Sequence, residues 1–349
     1  MPELLARHRA VIPSWVGLYY GDPIEIVSGK GCRVTDGQGR SYLDFFAGIL
    51  YLIRNQVELA EKIVRLSGIP DAKVYFTNSG TEANEVALLA AVSARHADQV
   101  LAMRGGYHGR SFGAVAVTGN PSWKMTSHSP FCAHFLHGTD GWSSQACVAD
   151  LRGLLISDEV RTGWGRTGEH FWGIGAHGVV PDAMTFAKGL GNGFAIGGVV
   201  ARGELLDGIR GNGISTFGGN PLSTAAANAT LDYLLSHDLQ RAAAVNGTLI
   251  INGLRAAVAD LRVVGEVRGK GLMFAVDLVH PVTGEPSPAL AGRVLEVARE
   301  RGLLIGKGGL YGHALRMAPP LMLTEDEAKE GLALLIDALR AVNEEAIRG

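Results

Sequence analysis

The chain has 349 residues, of which 47% are hydrophobic and 19% are charged. At roughly 150 residues per domain, this length allows about two domains. Its 32 basic and 34 acidic residues give a formal net charge of −2 without a basic stripe, so we expect no nucleic-acid partner. The N-terminal residues lack an apolar core with a cleavage site, and the longest uncharged stretch is rich in Gly, Asn, Ser and Thr. We therefore expect neither secretion nor a membrane span.

The spacing of cysteines and histidines offers no metal or redox motif. Cys32, Cys132 and Cys147 form none of the close pairs that zinc and redox sites use, so we expect reduced thiols in a cytoplasmic protein. His134 and His137 have a spacing open to metal ligation, but no further ligands accompany them, which favours a structural or surface role.

The first predicted elements are a hairpin and an α/β domain. In GCRVTDGQGRSYLDF, two alternating runs flank residues 36–39, which predicts two antiparallel strands. From Lys73 onward, short apolar strands alternate with helical segments, an order typical of an α/β fold with a mostly parallel sheet. Asn220 and Pro221 then predict the start of an Ala-rich helix that runs toward His237.

The C-terminal part predicts a smaller α+β unit. Strands are expected over LRVVGEV, GLMFAVDLV and ALRMAPPLML, and a helix over ALAGRVLEVARERG. Thr324 and Glu327 have capping-box spacing at the start of a last helix. One face of that helix carries Leu332, Leu335, Ile336, Leu339 and Val342. We therefore divide the chain into a segment 1–50 that packs on the small domain, a large domain 51–236 and a small domain 237–349.

Two junctions lack the turns that an α/β domain needs between elements. Near residues 50–51, GIL runs directly into YLIRNQVELAEK, and near residues 150–153 an apparent helix passes into an apparent strand almost without a loop. We hypothesise that segments are absent at both points.

The segment KVYFTNSGTEANEVALLAA combines a strand, a Ser-Gly-Thr turn and a helix. Ser79 and Glu82 have capping-box spacing, and Gly80 allows the backbone to approach a ligand. The free amides and the positive dipole end of such a helix would bind a phosphate, although an ordinary helix cap has the same pattern.

Two further motifs place charged residues at strand ends. Asp158 follows the apolar run Leu154–Ile156, where open α/β sheets bind ligands, and its carboxylate needs a cationic partner. A pyridinium nitrogen is one candidate, and Arg161 or Arg166 is the alternative. Lys188 ends the strand of DAMTFAKG, and a desolvated lysine there is either a Schiff-base amine or a solvated side chain. A phosphate site, a buried carboxylate and a strand-end lysine together are what pyridoxal phosphate requires.

Six motifs occur in a fixed order over nearly the whole chain, from about Gly31 to the last helix. They are SGTEAN, YHGR, DEVRTGWGRTG, TFAKG, STFGGNPL and LRMAPPL. In this order they resemble the class III aminotransferases of pyridoxal-phosphate fold type I, the group with acetylornithine, ornithine and 4-aminobutyrate aminotransferases. This resemblance implies a large domain with a mostly parallel central sheet and a smaller α+β domain.

The resemblance also implies a cofactor-binding set. It comprises Ser79, Gly80, Thr81, Tyr107, His108, Asp158, Val160, Arg161, Lys188, Ser215 and Thr216. Within it, Lys188 would form the imine with pyridoxal phosphate and then shuttle a proton, and Asp158 would keep the pyridine nitrogen protonated. Val160 and Tyr107 would contact the two faces of the ring.

Phosphate binding and quaternary structure follow from the same resemblance. Gly80 and Thr81 would bind the phosphate, and Thr216 would reach it from a neighbouring subunit. A homodimer with shared active sites is therefore expected.

Three arginines are relevant to substrate binding. By resemblance, Arg316 in LRMAPP would bind the carboxylate nearest the reacting amine, and Arg110 in YHGR would bind a distal carboxylate. Arg161 departs from the family, whose DEVQTG motif reads DEVRTG here. The family's Glu-Pro segment between the YHGR and DEV strands is also missing, as is the connection expected after FAGI.

These motifs predict a transferase that moves an amino group from an amino acid or ω-amino acid to a 2-oxo acid, with 2-oxoglutarate expected as the acceptor. The donors expected are 4-aminobutyrate, acetylornithine and related molecules. An aminomutase or racemase that uses Lys188 is an alternative. A catalytically degenerate binding or scaffold dimer is another, favoured only by the missing segments.

Overall fold

The fold is that of a computed structural model, which describes residues 2–18, 20–45, 51–136 and 153–348. The helices are α1 (Pro2–Val11), α2 (Arg54–Ser67), α3 (Gly80–Arg95), α4 (Phe112–Ala116), α5 (Gly203–Asp207), α6 (Pro221–Ser236), α7 (Leu239–Ala257), α8 (Pro288–Glu300) and α9 (Glu325–Arg348). The strands are β1 (Ile26–Lys30), β2 (Arg33–Asp36), β3 (Ser41–Leu43), β4 (Ala72–Thr77), β5 (Gln99–Met103), β6 (Cys132–Leu136), β7 (Ile156–Asp158), β8 (Ala183–Phe186), β9 (Gly197–Arg202), β10 (Val264–Lys270), β11 (Met273–Leu278), β12 (Gly306–Gly308) and β13 (Ala314–Met317). No described helix has both the length and the apolar character needed to cross a bilayer.

The main sheet has the strand order β4-β9-β8-β7. Strands β4 and β8 run antiparallel to β9, and β7 is parallel to β8. The α/β class predicted from the sequence is confirmed, but the sheet is mixed, because β9 opposes the other three strands. Residues 187–196 connect β8 to β9, which is shorter than the dozen or so residues of a parallel crossover.

Helix α3 packs on this sheet through small side chains. Ala87 and Ala90 join the buried cluster formed by Tyr75 of β4, Ala183 of β8 and Val199 of β9. Short side chains let the helix approach the strands closely. The N-terminus of α3 therefore lies next to the end of β4, from which the chain enters the helix at Ser79.

Strands β5 and β6 form a separate parallel pair. Ala102 of β5, Leu88 of α3 and Val117 form a small buried cluster, against which Ile156 of β7 packs. The sequence predicts a strand that continues through RGGYHG, but β5 ends at Met103. The glycines that follow take turn conformations, with φ 77° at Gly105.

The predicted N-terminal hairpin is confirmed as β2 and β3, with β1 added on the other side of β2. Asp36 holds the turn, because its Oδ1 accepts hydrogen bonds from the amides of Gln38 and Arg40, each at 2.9 Å. Its Oδ2 accepts from the Tyr42 hydroxyl at 2.8 Å.

The predicted C-terminal unit contains a second sheet in the order β10-β11-β13-β12, whose pairs are all antiparallel. Helices α7 and α8 both contact α9. On the predicted face of α9, Leu335, Leu339 and Val342 are buried, and Leu332 and Ile336 pack against the same core. The predicted strand 314–323 is too long, because Pro319 and Pro320 cannot continue a ladder and β13 ends at Met317.

The chain forms two compact units. The first comprises Met1–Gly119, Trp123–Arg161 and His177–Tyr233, and the second comprises Asn120–Ser122, Thr162–Ala176 and Leu234–Gly349. The division within α6 is close to the predicted boundary at residue 236. Residues 1–50 were expected to pack on the small domain, but they belong to the first unit, where α1 contacts α2 and β4.

Candidate active site

The N-terminus of α3 forms the predicted cap, with one change of partner. The Ser79 hydroxyl accepts from the Glu82 amide at 3.2 Å. The Glu82 carboxylate accepts from the backbone and side-chain nitrogens of Asn78, at 2.9 and 3.1 Å, rather than from the Ser79 amide as a complete capping box would. The first-turn amides of this 16-residue helix have no partners within the helix, so its N-terminus suits an anion.

Three of the predicted segments meet beside this helix end. A Cβ added to Gly80 would lie 3.0 Å from both methyl carbons of Val160, so the Val160 side chain packs closely on the backbone of this turn. Gly109 of the YHGR motif has φ 137°, and a Cβ there would lie 2.6 Å from the Thr81 hydroxyl. The structure thus brings the Ser-Gly-Thr turn, the YHGR loop and the residues after β7 together.

Asp158 ends β7 and accepts three hydrogen bonds. Its Oδ2 lies 2.7 Å from His108 Nδ1 and accepts from Asn84 Nδ2 at 2.9 Å. Its Oδ1 accepts from the Val160 amide at 3.1 Å. A carboxylate offers roughly four lone-pair positions, so these three contacts from the described residues leave one acceptor position for a further donor.

The charge state of Asp158 follows from these contacts. Burial raises the pKa of the Asp158 carboxyl, but the hydrogen bond and positive charge of His108 and the bonds from Asn84 and Val160 outweigh it, and the pKa lies below its ordinary value. The carboxylate is therefore ionised at neutral pH and can pair with a cationic ring nitrogen.

Lys188 lies two residues beyond β8, the strand that pairs with β7. Its backbone is left-handed, with φ 49°, a strained conformation for a lysine. Desolvation lowers the pKa of the Lys188 amine, and the Asp158 carboxylate acts in the opposite direction, so amine and carboxylate interact electrostatically. A lowered pKa makes the amine a better nucleophile.

Other predicted first-unit residues lie at the surface. Tyr107 is exposed and packs edge-on against Trp123, with ring centroids 5.3 Å apart. Arg110, Arg161 and Thr216 are exposed. The Ser215 hydroxyl accepts from Asn78 Nδ2 of the same chain at 3.4 Å, next to the α3 cap.

A separate cavity of the first unit is lined by Ser215 and Thr216, together with Tyr51 and the buried His8. It does not include Asp158 or Lys188, so the carboxylate and amine lie outside it.

Arg316 lies on β13 in the second unit. Its backbone pairs with Gly306 of β12 and Ala275 of β11, and its side chain lies over Gly308. A side chain at Gly308 would overlap with Arg316 Cδ, so this glycine leaves room for the arginine.

The sequence analysis missed two polar residues next to Asp158. Asn84 is buried on α3, and its Oδ1 accepts from the hydroxyl of Thr185, which is fully buried on β8. The sequence did contain one signal for Asn84, because it lies on the same helix face as the apolar Ala87 and Leu88. A polar residue on a buried face needs hydrogen-bond partners, so this position could have predicted the role of Asn84.

The structure describes some of the histidines and cysteines that the sequence analysis expected to lie outside metal and redox sites. His134 Nε2 lies 2.7 Å from Gln99 Oε1 across the β5–β6 pair, and Cys32 and Cys132 are exposed thiols. His137 and Cys147 lie outside the described residues, as do parts of both unusual junctions. Within the described ranges, no group of His, Cys, Asp or Glu has an arrangement that would hold a metal ion.

The chain belongs to the class III aminotransferase family. The family model described as aminotransferase class-III matches residues 50–141 and 143–339. Members of this family use pyridoxal phosphate and have the fold type I architecture, so the resemblance seen in the motifs is confirmed.

Two relatives and one solved structure show what the chain is similar to within and around this family. The chain is 34% identical to the acetylornithine aminotransferase of Mycolicibacterium smegmatis, over 97% of each chain. It is 32% identical to the mitochondrial alanine–glyoxylate aminotransferase 2 homolog 2 of Arabidopsis thaliana, over 93% of this chain and 84% of the relative. A phospholyase from Arthrobacter, solved in complex with phosphoethanolamine, is 31% identical with a TM-score of 0.74, over 97% of this chain and 99% of that one.

The comparisons also bear on the two junctions. The alignment to the M. smegmatis enzyme runs over 410 positions, more than the 349 residues of this chain, so that enzyme contains residues without a counterpart here. The family match begins at residue 50 and is interrupted at residue 142, and its second part runs without a break through residues 150–153.

The described residues fit pyridoxal phosphate. Gly80 begins α3, and the N-terminus of a helix is a place where a phosphate binds favourably. The ionised Asp158 has one acceptor position left for a ring N–H, and the amine of Lys188 interacts with it. These three features correspond to the phosphate, the ring nitrogen and the aldehyde of the cofactor.

Proposed function

We propose that this chain transfers an amino group from an amino acid or ω-amino acid, of the 4-aminobutyrate or acetylornithine type, to 2-oxoglutarate. The observation that carries the proposal is the ionised Asp158 at the end of β7, whose negative charge acts on the pKa of the Lys188 amine, two residues beyond the neighbouring strand β8. Family membership and the relatives named acetylornithine aminotransferase support it.

Lys188 is assigned the covalent bond to the cofactor and the movement of the proton. Its lowered pKa favours the neutral amine that attacks an aldehyde, and after release the same amine can accept and return a proton at Nζ. Bound pyridoxal phosphate supplies an electron sink that stabilises negative charge on the substrate carbon.

The geometry and the resemblance support the remaining cofactor contacts that we propose. Asp158 would pair with the protonated ring nitrogen, and Val160 and Tyr107 would contact the ring faces. The first turn of α3, with Gly80 and Thr81, would bind the phosphate. Ser79 and Ser215 lie next to that turn and His108 bonds to Asp158, so we keep all three in the proposed set.

Substrate carboxylates are assigned to arginines, because a guanidinium binds a carboxylate through two parallel hydrogen bonds. Arg316 would bind the carboxylate nearest the amine and Arg110 a distal one, while Arg161 stands beside Val160. We also propose a homodimer in which Thr216 reaches the phosphate of the neighbouring subunit, and a cytoplasmic location.

A second candidate reaction is favoured by the similarity to the phospholyase solved with phosphoethanolamine. In such an elimination, a base such as Lys188 removes a proton from the carbon that bears the amine. The neighbouring carbon–oxygen bond then breaks, and inorganic phosphate leaves with the bonding electrons. No 2-oxo acid is consumed, which separates this reaction from transamination.

One set of assays with the purified chain and added pyridoxal phosphate distinguishes the reactions. Stoichiometric conversion of 2-oxoglutarate to glutamate with an amino donor is expected. Phosphate release from phosphoethanolamine without 2-oxoglutarate would indicate the elimination, and isomerised or racemised donor without glutamate would indicate a mutase or racemase. A chain that does not change the absorbance of pyridoxal phosphate would support the scaffold alternative.

Lys188→Ala is expected to abolish turnover while leaving the fold intact, because no other described group is assigned the covalent step. The matched control is Lys329→Ala, which removes an exposed lysine paired with Glu325 on α9. Turnover and circular dichroism are measured for both variants. Turnover retained by Lys188→Ala, or lost equally in the control, would contradict the assigned role.

A further inference from the structure

Helix α3 reaches both ends of the proposed cofactor site. Its N-terminal turn, capped by Ser79, is the proposed phosphate site, and Asn84, at the start of its second turn, donates to Asp158. Asp158 and Thr185 are directly paired in the β7–β8 ladder, so their side chains lie on the same face of the sheet. Asn84 bonds to both residues and links the helix to two strands.

The hydrogen bonds determine the orientation of the Asn84 amide. Its Nδ2 lies 2.9 Å from Asp158 Oδ2 and 2.7 Å from the carbonyl oxygen of His108, two groups that only accept hydrogen bonds. The Oδ1 must therefore face Thr185, whose hydroxyl donates at 2.6 Å. Without that donor, the amide oxygen would be buried without compensation, because Thr185 is fully buried and Asn84 is 6% exposed.

Asn84 differs from the other side chain that contacts Asp158. A histidine ring nitrogen donates in one tautomer of the neutral ring and accepts in the other, so the role of His108 Nδ1 depends on the tautomer. An amide N–H donates at every pH at which the protein is folded. Asn84 is thus the constant side-chain donor to this carboxylate.

We propose that Asn84 and Thr185 are positioning residues for the ring-nitrogen interaction: Thr185 fixes the amide of Asn84, and Asn84 fixes the carboxylate of Asp158 toward the cofactor. This inference rests on the proposed use of pyridoxal phosphate. It concerns how strongly Asp158 binds the ring nitrogen, so loss of either residue is expected to change cofactor affinity as well as turnover.

The test compares the affinity for pyridoxal phosphate with that for its 1-deaza analogue, in which carbon replaces the ring nitrogen. The native chain is expected to prefer pyridoxal phosphate. Thr185→Val keeps the side-chain shape but removes the hydroxyl, and is expected to reduce this preference about tenfold. Thr185→Ser is expected to restore it. The control is Thr230→Val on α6, whose hydroxyl donates to the Ala226 carbonyl within the same helix, and it is expected to leave the ratio unchanged.

The outcomes separate this inference from the proposed function. A native chain that binds neither compound would contradict the proposed function itself. A native chain with a preference that Thr185→Val leaves intact, or equal weakening of both compounds, would overturn the positioning role. If Thr185→Val does not fold, Asn84→Ala removes the other side chain of this hydrogen bond and is expected to reduce the same ratio of affinities. In an Asp158→Asn background, Thr185→Val is expected to have no further effect on the ratio.

Discussion

At the scale of single residues, His8 is a titratable group that the mechanism does not use. It lies on α1 with 4% of its surface exposed, and its Nδ1 has no hydrogen-bond partner among the described residues. Burial lowers the pKa of His8 to about 4, and the positive charges of Arg9 and Lys73 act in the same direction. The folded protein therefore keeps this ring neutral at pH values where the unfolded chain protonates it.

We expect the His8 environment to make the protein less stable in mild acid. Because the folded pKa lies below the unfolded value of about 6.5, the stabilisation is complete above pH 6.5 and is lost as the pH falls toward 4. The loss amounts to about 3 kcal/mol for this group. Urea unfolding at several pH values measures it. His8→Leu is expected to flatten this part of the profile, and the same slope in His8→Leu and the native chain would refute the assignment.

The exposed His128 provides the matched comparison for that experiment. His128→Leu changes the same residue type at the surface, where its ring contacts only Phe112 among the described aromatic rings. It is expected to leave the slope between pH 6.5 and 4 unchanged. An equal flattening in this variant would mean that the effect comes from histidine removal in general.

Residue-level prediction from the sequence placed Asp158 correctly at the end of a strand and Lys188 close to the end of another, and the roles of both residues are proposals. Asp158 ends an apolar run and Lys188 follows another, and parallel strand ends meet at one sheet edge. Asn84 and Thr185 could not be predicted in this way, because their roles depend on a helix crossing two strands. That contact joins residues 101 positions apart, and local pattern does not contain it.

At the scale of elements, the N-terminus of α9 shows a complete capping box. The Thr324 hydroxyl accepts from the Glu327 amide at 3.3 Å, and the Glu327 carboxylate accepts from the Thr324 amide at 2.8 Å. The sequence spacing predicted this arrangement correctly, because both halves of the box are local. The box at α3 was predicted with equal spacing, yet its glutamate bonds to Asn78 instead.

Thr324→Ala is expected to destabilise the chain by about 1 kcal/mol, because it removes the hydroxyl that satisfies a first-turn amide. Thr324→Ser keeps the hydroxyl and is expected to lose only a fraction of that amount. Both are measured by urea unfolding at neutral pH. Equal stability of the alanine and serine variants would show that the hydroxyl does not cap the helix.

Strand pairing is the part of the fold that the sequence predicted least well. The strands and helices predicted from Lys73 onward occur in the predicted order, because each has its own hydrophobic period. The sequence analysis did not predict β6, β12, α4, α5 and α7. The separation of β5–β6 from the main sheet and the reversed direction of β9 were not predicted. Both depend on which strands are neighbours in space, and pairing partners far apart in sequence leave no local pattern.

At the scale of the whole molecule, each unit has a hydrophobic core of its own. The cluster of the second unit is built from α7, α8, α9 and the strands β10, β11 and β13, with members such as Leu254 and Leu315 that are fully buried. The clusters around α3 are built from first-unit residues such as Val199 and Leu206. Separate cores allow the two units to open in separate steps.

Pyridoxal phosphate is therefore expected to protect the first unit selectively from hydrogen exchange. A ligand slows only those openings that destroy its site, and at 100 times the dissociation constant this amounts to about 2.7 kcal/mol, or roughly 100-fold slower exchange. The proposed contacts include the first turn of α3, the end of β7 and Lys188 just beyond β8, so amides in Gly80–Arg95 and Ala183–Phe186 are expected to slow. Amides in Leu239–Ala257 and Met273–Leu278 are expected to keep their exchange rates.

Pyridoxal, which lacks the phosphate, serves as the control and is expected to give less protection in α3. Equal slowing in both units would show that the molecule opens as one cooperative body, and the separate cores would then not unfold independently.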